Sequence, residues 1–375
     1  MTRGSIRRRG RQSWELKFDV PTDDGRRRTR YVTVRGRRQD AQRELTRQLA
    51  ASDGGTFVDP STVTVGAYVS TWLDAAEVAP KTAERYRELA NNQVVPHLGT
   101  MLLQKLRPAH VQEWHRTLLT GGSRKGGPLS PRSVGHAHRL LRAVLQAAVR
   151  GEVLARNVAA AVSPPRLSGK EMRILTQDEV RTILERLAGH GLHTIAVLAL
   201  GTGLRRGEML ALAWAHVDLD AARLVVERSL QQTADGLAFK APKTASGRRT
   251  ISLPASVVAV LRDHRRQQLE TRVELGLGKP PADALVFAQL DGSPLSPDQV
   301  SSAWSHAVRD RKLPKVTLHA LRHTHASALI SAGLDVVAVS KRLGHSSPTV
   351  TLAIYAHLFS TDDTAAAVAI DRVLR

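Results

Sequence analysis

The sequence has no cysteine among its 375 residues. That excludes a disulfide framework, a thiolate zinc site and a cysteine nucleophile, and it suits a reducing cytoplasm. Long apolar runs are also missing: the most apolar stretch, residues 194–204, falls well short of the ~20 residues a spanning helix needs. The basic segment at residues 1–11 lacks the apolar core of a signal peptide, so the expectation is neither export nor a membrane partner. Negative charge is scarce, with 34 Asp and Glu against 55 Lys and Arg and a formal net charge of +21. Such a balance points to a polyanionic partner, nucleic acid above all, while leaving the fold open; a basic ribosomal or membrane-surface protein would share it. The length allows two or three domains, each with its own core.

What is present can be taken in chain order. Trp14, Leu16 and Phe18 alternate with polar residues, and Tyr31, Val32 and Val34 follow a turn signal at Thr22, Asp23, Asp24 and Gly25. The pattern predicts a small sheet ringed by arginines, among them Arg7, Arg8, Arg9, Arg28 and Arg30, with a helix from about Arg38 to Ala51 over one face. Residues 52–55 read as a linker. Beyond them four helices are expected up to about Ala161: one with Val65, Tyr68, Val69, Trp72 and Leu73, one from Lys81 to Gln93 that stops before Pro96, one from Pro108, and a long one after Ser130 and Pro131. Lys81, Arg85, Arg87, Arg132, His136, His138 and Arg142 are expected to form an exposed basic face. Residues 163–170 form a second, basic linker containing two prolines.

A capping box at Thr176 and Glu179 then opens a third region. Strands are expected at residues 224–226, 237–239 and 250–253, with Lys243 in the turn between the last two, and helices at residues 255–274 and 297–312. The fold class that follows is mainly α with small β elements, an α+β architecture. Its three expected parts are residues 1–59, a β-sheet and helix; 60–163, a four-helix domain; and 174–375, a mixed α/β domain.

The stretch from His319 to Tyr355 carries the chemistry. His319 and Arg322 are three apart, which on a helix places an imidazole and a guanidinium on one face, able to address one anion. Gly344 is placed to close a helix with a left-handed residue and to project His345, and Pro348 to begin the next helix, which carries Tyr355. Each of these residues alone fits an ordinary structural role. As an ordered set they resemble the tyrosine recombinase (phage integrase) family, whose signature runs His-x-x-Arg, Leu-Gly-His and then a tyrosine nucleophile. Thr202, Gly203, Leu204, Arg205 and Glu208 fill the family's upstream Thr-Gly-x-Arg-x-x-Glu motif, and Lys243 precedes Arg248, Arg249, Thr250 and Ile251 as its hairpin lysine does.

The resemblance implies a site-specific DNA recombinase of a phage or other mobile element, with Arg205, Lys243, His319, Arg322, His345 and Tyr355 as catalytic residues. In that reading the arginines clamp the phosphate, His319 accepts the proton of Tyr355, Lys243 protonates the leaving 5′ oxygen and His345 hydrogen-bonds the phosphate. Glu208 is expected to orient a guanidinium. The first region would be an arm-type DNA-binding module and the second a core-binding domain. No cofactor, metal or ATP is expected. Expected partners are double-stranded DNA attachment sites, three further subunits in a homotetramer on DNA, and an accessory directionality or DNA-bending protein. A type IB topoisomerase would use similar chemistry. A metal nuclease built on His319, His323, His325, His345 and His357 would need carboxylates that the sequence does not cluster beside them, and a non-catalytic DNA-binding regulator would explain the charge but not Tyr355.

Overall fold

The computed structural model describes residues 4–21, 27–54, 57–124, 126–167, 173–242, 247–359 and 364–375. The expected turn at residues 22–25, Gly55, the end of the second linker and Lys243 lie outside the described residues. The chain divides into two compact units, Met1–Ser168 and Gly169–Arg375.

In the first unit, β1 (Gly4–Gly10), β2 (Ser13–Pro21) and β3 (Arg27–Arg35) form an antiparallel sheet in that order. The arginines expected to ring a hairpin are in part the sheet itself: Arg7, Arg8 and Arg9 lie in β1, and Arg7 pairs with Glu15 across to β2. Strand alternation turns Leu16 and Phe18 inward, where Ala41 and Leu45 of α1 (Arg38–Asp53) cover them.

A separate apolar core is built by α2 (Val65–Ala75), α3 (Pro80–Leu89), α4 (Val95–Leu98), α5 (Pro108–Gly121) and α6 (Pro131–Arg150). Thr64 and Ser130 accept backbone N–H groups as the N-caps of α2 and α6. The expected stop before Pro96 is a correction. A π-helical turn, Ala90–Val94, runs straight into α4, whose first turn holds Pro96. His138 is a second correction: it is buried, because Val134, Ala137, Leu141, Val144, Leu145 and Ala148 place it on the apolar stripe of α6. Its Nδ1 meets Nε2 of buried His115 from α5 at 3.1 Å, so the two rings satisfy one another.

The second unit begins with α7 (Gln177–Arg186), where Thr176 and Glu179 form the expected capping box. It continues through α8 (Leu192–Thr202) and α9 (Arg206–Leu210). Then come β4 (Val217–Asp218), β5 (Arg223–Val226), β6 (Ser229–Thr233), β7 (Gly236–Lys240) and β8 (Arg249–Ser252). β4, β5 and β8 form one small sheet, whereas β6 and β7 form a separate hairpin. β7 and β8 therefore lie in different sheets. β6 and β4 went unread in the sequence: Leu230 is the only large apolar residue of β6, and β4 is too short to show alternation.

α10 (Ala255–Glu274) and α11 (Pro297–Asp310) complete the scaffold, with Leu198, Leu210, Leu224, Ile251, Leu261 and Trp304 in its core. The expected three C-terminal helices are α12 (Leu318–Ser331), α13 (Val336–Leu343) and α14 (Pro348–Tyr355). α15 (Thr364–Leu374) follows, with Val368, Ile370, Val373 and Leu374 exposed.

The histidine pair of the first unit makes it sensitive to acid. Burial, then the charges of His115, Arg142 and Arg139, push His138 down to about 4, and burial also lowers His115. The unfolded chain binds protons at the ordinary histidine pKa of ~6.5, so as pH falls from there towards 4 it takes up protons that the fold refuses, and stability is lost across that window. Thermal melts of the full chain, followed by circular dichroism, will fall in midpoint between pH 7 and pH 5. The double substitution His115→Leu, His138→Leu will flatten that fall, and an unchanged slope would remove the pair as its cause.

Candidate active site

Two glycines shape the site. Gly203 ends α8 at φ +66°, and a Cβ there would lie 2.6 Å from the His325 ring and 2.9 Å from Leu343. Gly344 ends α13 at φ +66°, where a Cβ would come within 2.6 Å of the Arg249 guanidinium. Only glycine takes this left-handed turn without strain, and each turn lets a guanidinium approach backbone.

The last carbonyls of a helix lack intrahelical partners and carry its negative dipole end. At the end of α13 three successive carbonyls each receive an arginine. Arg249 Nε donates to the Arg342 oxygen at 2.8 Å, Arg322 Nη2 to that of Leu343 at 2.8 Å, and Arg205 Nη2 to that of Gly344 at 2.9 Å. Arg322, 3% exposed, also donates from Nη1 to the Gly203 oxygen at 2.5 Å, which ties the end of α8 to the end of α13.

Glu208 is the carboxylate of this cluster. It accepts from Arg205 Nη1 at 2.7 Å and Arg249 Nη2 at 2.9 Å, and closes a capping box with the Arg205 N–H. Burial works to raise its pKa, but the hydrogen bonds and charges of Arg249 and Arg205 prevail and hold it below the usual carboxylate range. Three cations thus face one anion, leaving the pocket positive. Burial and the neighbouring Arg205 bring Arg322 down to about 9, still high enough to keep it cationic at neutral pH.

His345 follows Gly344, buried, with Nδ1 2.8 Å from the Thr351 hydroxyl. Burial and the charges of Arg322, Arg205 and Arg249 push it down to about 4, so its ring is neutral near pH 7. Tyr355, at the end of α14, is 1% exposed in a small apolar cluster with Ala326, Ile330, Val339 and Leu343. Burial, opposed by Arg322, raises its hydroxyl to about 12. His319 presents its surface to solvent, and its ring stands edge-on to that of His323, centroids 4.6 Å apart. Burial of its inner side, with Arg322 and Arg205, lowers its pKa.

Of the residues singled out from sequence, the structure thus joins Arg205, Arg322 and His345 around the end of α13 and seats Tyr355 against the same helix. His319 reaches the tyrosine through His323, whose Nδ1 lies 2.5 Å from the Tyr355 hydroxyl. Sequence reasoning named His323 only as a ligand of the rival metal nuclease and Arg249 only in the motif that follows the hairpin lysine, and gave neither a role beside Tyr355. The available signal for His323 was its spacing of four from His319, one turn along the same face. Among the described residues no three His, Asp or Glu side chains gather where they could hold a metal ion.

Residues 173–361 match the family described as phage integrase, and residues 64–119 match the phage integrase N-terminal SAM-like domain. The chain is 25% identical to a XerC-like tyrosine recombinase of Caldanaerobacter subterraneus subsp. tengcongensis, over 95% of each chain. It is 29% identical to an integrase of Streptomyces ambofaciens, over 92% of this chain and 89% of that one. Among solved structures, the Tn1549 transposon integrase in complex with circular intermediate DNA aligns with a TM-score of 0.68 at 22% identity, covering 83% of this chain and 99% of that one. A lambda integrase dimer bound to a COC' core site aligns with a TM-score of 0.57 at 18% identity, covering 76% of this chain and 97% of that one. At these identities the structural likeness concerns the fold.

Removing one member of a buried ion pair leaves its partner's charge uncompensated, at a cost of about 3–5 kcal/mol. Arg249 and Glu208 are each only 7% exposed, so Glu208→Ala will destabilise the chain by an amount in that range, read from denaturant midpoints. A loss below about 1 kcal/mol would mean that Arg249 finds another anion or reaches water.

Proposed function

This chain belongs to the phage integrase family, and on that premise we propose that the arginine cluster and Tyr355 cleave and rejoin DNA by transesterification. The chain is a site-specific DNA recombinase of the tyrosine type, and its partner is DNA. The observation that carries the proposed site is the convergence of Arg205, Arg249 and Arg322 on the end of α13 with Glu208 as counterion, beside a buried tyrosine.

A DNA phosphodiester repels nucleophiles through its two non-bridging oxygens and releases a poor alkoxide. Phosphoryl transfer is therefore catalysed mainly by positioning and by stabilising charge. Forked guanidinium groups suit the equatorial oxygens, and Arg205, with 41% of its side chain exposed, is the one open to an incoming phosphate. His345, neutral and held by Thr351, donates a hydrogen bond instead of a proton. His319, at the solvent side, is free to face the substrate. Attack by the Tyr355 oxygen forms a 3′-phosphotyrosyl bond and frees a 5′ oxygen, which Lys243 protonates. Attack by a 5′ hydroxyl on that bond reverses the step on the same or a new strand. One phosphodiester replaces another, so no ATP is consumed.

We assign residues 1–59 to arm-site DNA, residues 60–163 to the core site and residues 174–375 to catalysis. The separate apolar cores of the first two segments support that division. The exposed apolar residues of α15 suit docking on a neighbouring subunit of a DNA-bound homotetramer, with an accessory directionality or DNA-bending protein setting the outcome. No helix among the described residues is long and apolar enough to cross a membrane.

Tyr355→Phe keeps the ring and removes the nucleophile, so it will bind attachment-site DNA and form no covalent adduct on a denaturing gel run from reactions in excess chelator. Lys243→Ala will slow cleavage by the ~10²- to 10⁴-fold typical of a lost general acid. A substrate with a 5′-bridging sulfur leaves as a thiolate and will erase most of the lysine defect but none of the tyrosine defect. An adduct with Tyr355→Phe would overturn the nucleophile, and a lysine defect that sulfur does not relieve would make Lys243 a DNA contact. Deleting residues 1–59 will remove part of the footprint on attachment-site DNA yet spare core-site cleavage, and identical footprints would refute a separate arm site. Truncation after Ser360 will abolish recombination while leaving single-site binding, and recombination at the full rate would dismiss the docking role of α15.

A further inference from the structure

The nucleophile already has a base in contact with it, and that base is not the histidine of the His-x-x-Arg pair. The Tyr355 oxygen and Nδ1 of His323 are 2.5 Å apart, a hydrogen bond in which the ring nitrogen accepts when its proton sits on Nε2, and the two ring centroids are 5.8 Å apart. His319 stands on the far side of that contact, edge-on to the His323 ring at an interplanar angle of 85°. Among the described residues, the charged and titratable groups around His323 are His319 and Arg322 from α12, His345 after α13, and Tyr355 from α14. None is a carboxylate, and Glu208 is already engaged by Arg205 and Arg249. Within this setting an imidazole that accepts at Nδ1 carries its own proton on Nε2 and has one lone pair to offer, which points at the tyrosine oxygen.

We propose that His323 is the general base of the recombinase, taking the Tyr355 proton onto Nδ1 as the tyrosine oxygen attacks phosphorus. The inference rests on Tyr355 being the nucleophile, as proposed above. In the cleavage step the Tyr355 O–H bond breaks as N–H forms on His323, and the tyrosine O–P bond forms as the P–O5′ bond breaks. The leaving oxygen receives a proton from Lys243. In resealing, the incoming 5′ hydroxyl yields its proton to the lysine amine and His323 returns its proton to Tyr355, so both groups are reset.

The timing follows from the environment. Burial, the other histidines and Arg322 push His323 down to about 4, while burial lifts Tyr355 to about 12. The proton therefore stays on oxygen until bonding to phosphorus makes that oxygen acidic, which is general-base catalysis in the transition state and not prior ionisation. His319 is released from proton transfer and left on the exposed side of the pair, where a phosphate arrives.

The test is single-turnover adduct formation by the full chain on an attachment-site duplex recovered from the DNA flanking its gene. His323→Ala will slow the step by ~10²- to 10⁴-fold, as loss of a general base does, with DNA affinity unchanged. Added imidazoles will restore the rate, the more basic ones more strongly. His323→Gln, which offers a hydrogen-bond acceptor but cannot take the proton, will remain slow. A wild-type rate in His323→Gln would reduce His323 to a positioning residue. A wild-type rate in His323→Ala, or a slow His323→Ala that binds DNA normally yet responds to no imidazole, would also overturn the proposal. In each of those cases an adduct in the wild type and none in Tyr355→Phe would leave the nucleophile standing, so the two claims fail separately.

Discussion

The end of α13 is the constraint on which the second unit depends. Its last three carbonyls, at Arg342, Leu343 and Gly344, have no helical partner, and each is met by an arginine from a different element: β8, α12 and the start of α9. An orphaned buried carbonyl costs about 1–3 kcal/mol, and hydrogen bonds from charged donors are among the stronger ones. The same contacts therefore close the fold and collect positive charge at one point. Gly344 is required by both: its left-handed turn ends the helix, and its missing Cβ makes room for the Arg249 guanidinium. Gly203 ends α8 with the same left-handed turn; its missing Cβ leaves room for the His325 ring and Leu343, and its carbonyl receives Arg322.

The cluster is deliberately short of anions. Glu208 balances Arg205 and Arg249, which leaves Arg322 with carbonyl partners only, buried and lowered to about 9. A buried cation that shares its one nearby carboxylate with two other arginines is held at a cost in solvation, and on the proposed function an incoming phosphate offsets that cost. The neighbouring histidines cannot compete for this role, because His345 and His323 are both held near 4 and add no charge at neutral pH. Burial thus leaves two kinds of group in one pocket at neutral pH: charged arginines and the neutral imidazoles of His323 and His345.

Much of this was legible in the sequence wherever local rules apply. The three-residue spacing of His319 and Arg322, the glycine cap at Gly344, the capping box at Thr176 and the apolar stripe of α6 all follow from helix periodicity and end chemistry. What stayed hidden depends on distant partners. Arg249 read as one of two arginines before a strand, and its place under Gly344 comes from packing across 93 residues, to the Arg342 carbonyl. β6 carries polar residues on both faces and exists because β7 pairs with it, while the helix that passes Pro96 does so through a π turn that no periodicity announces. His138 was misread because charge was given precedence over its position on the stripe of α6.

The proposed nucleophile and the proposed phosphate clamp both rest on α13. The side chain of Leu343 packs in the apolar cluster around Tyr355, and its carbonyl receives Arg322. A shift of α13 would disturb both contacts at once. A packed interior resists small independent displacements, because each leaves voids or overlaps. For a transesterification that must run in both directions at equal energy, this linkage has a chemical use. On the proposed function, one element holds the phosphate in both the phosphodiester and the phosphotyrosyl state.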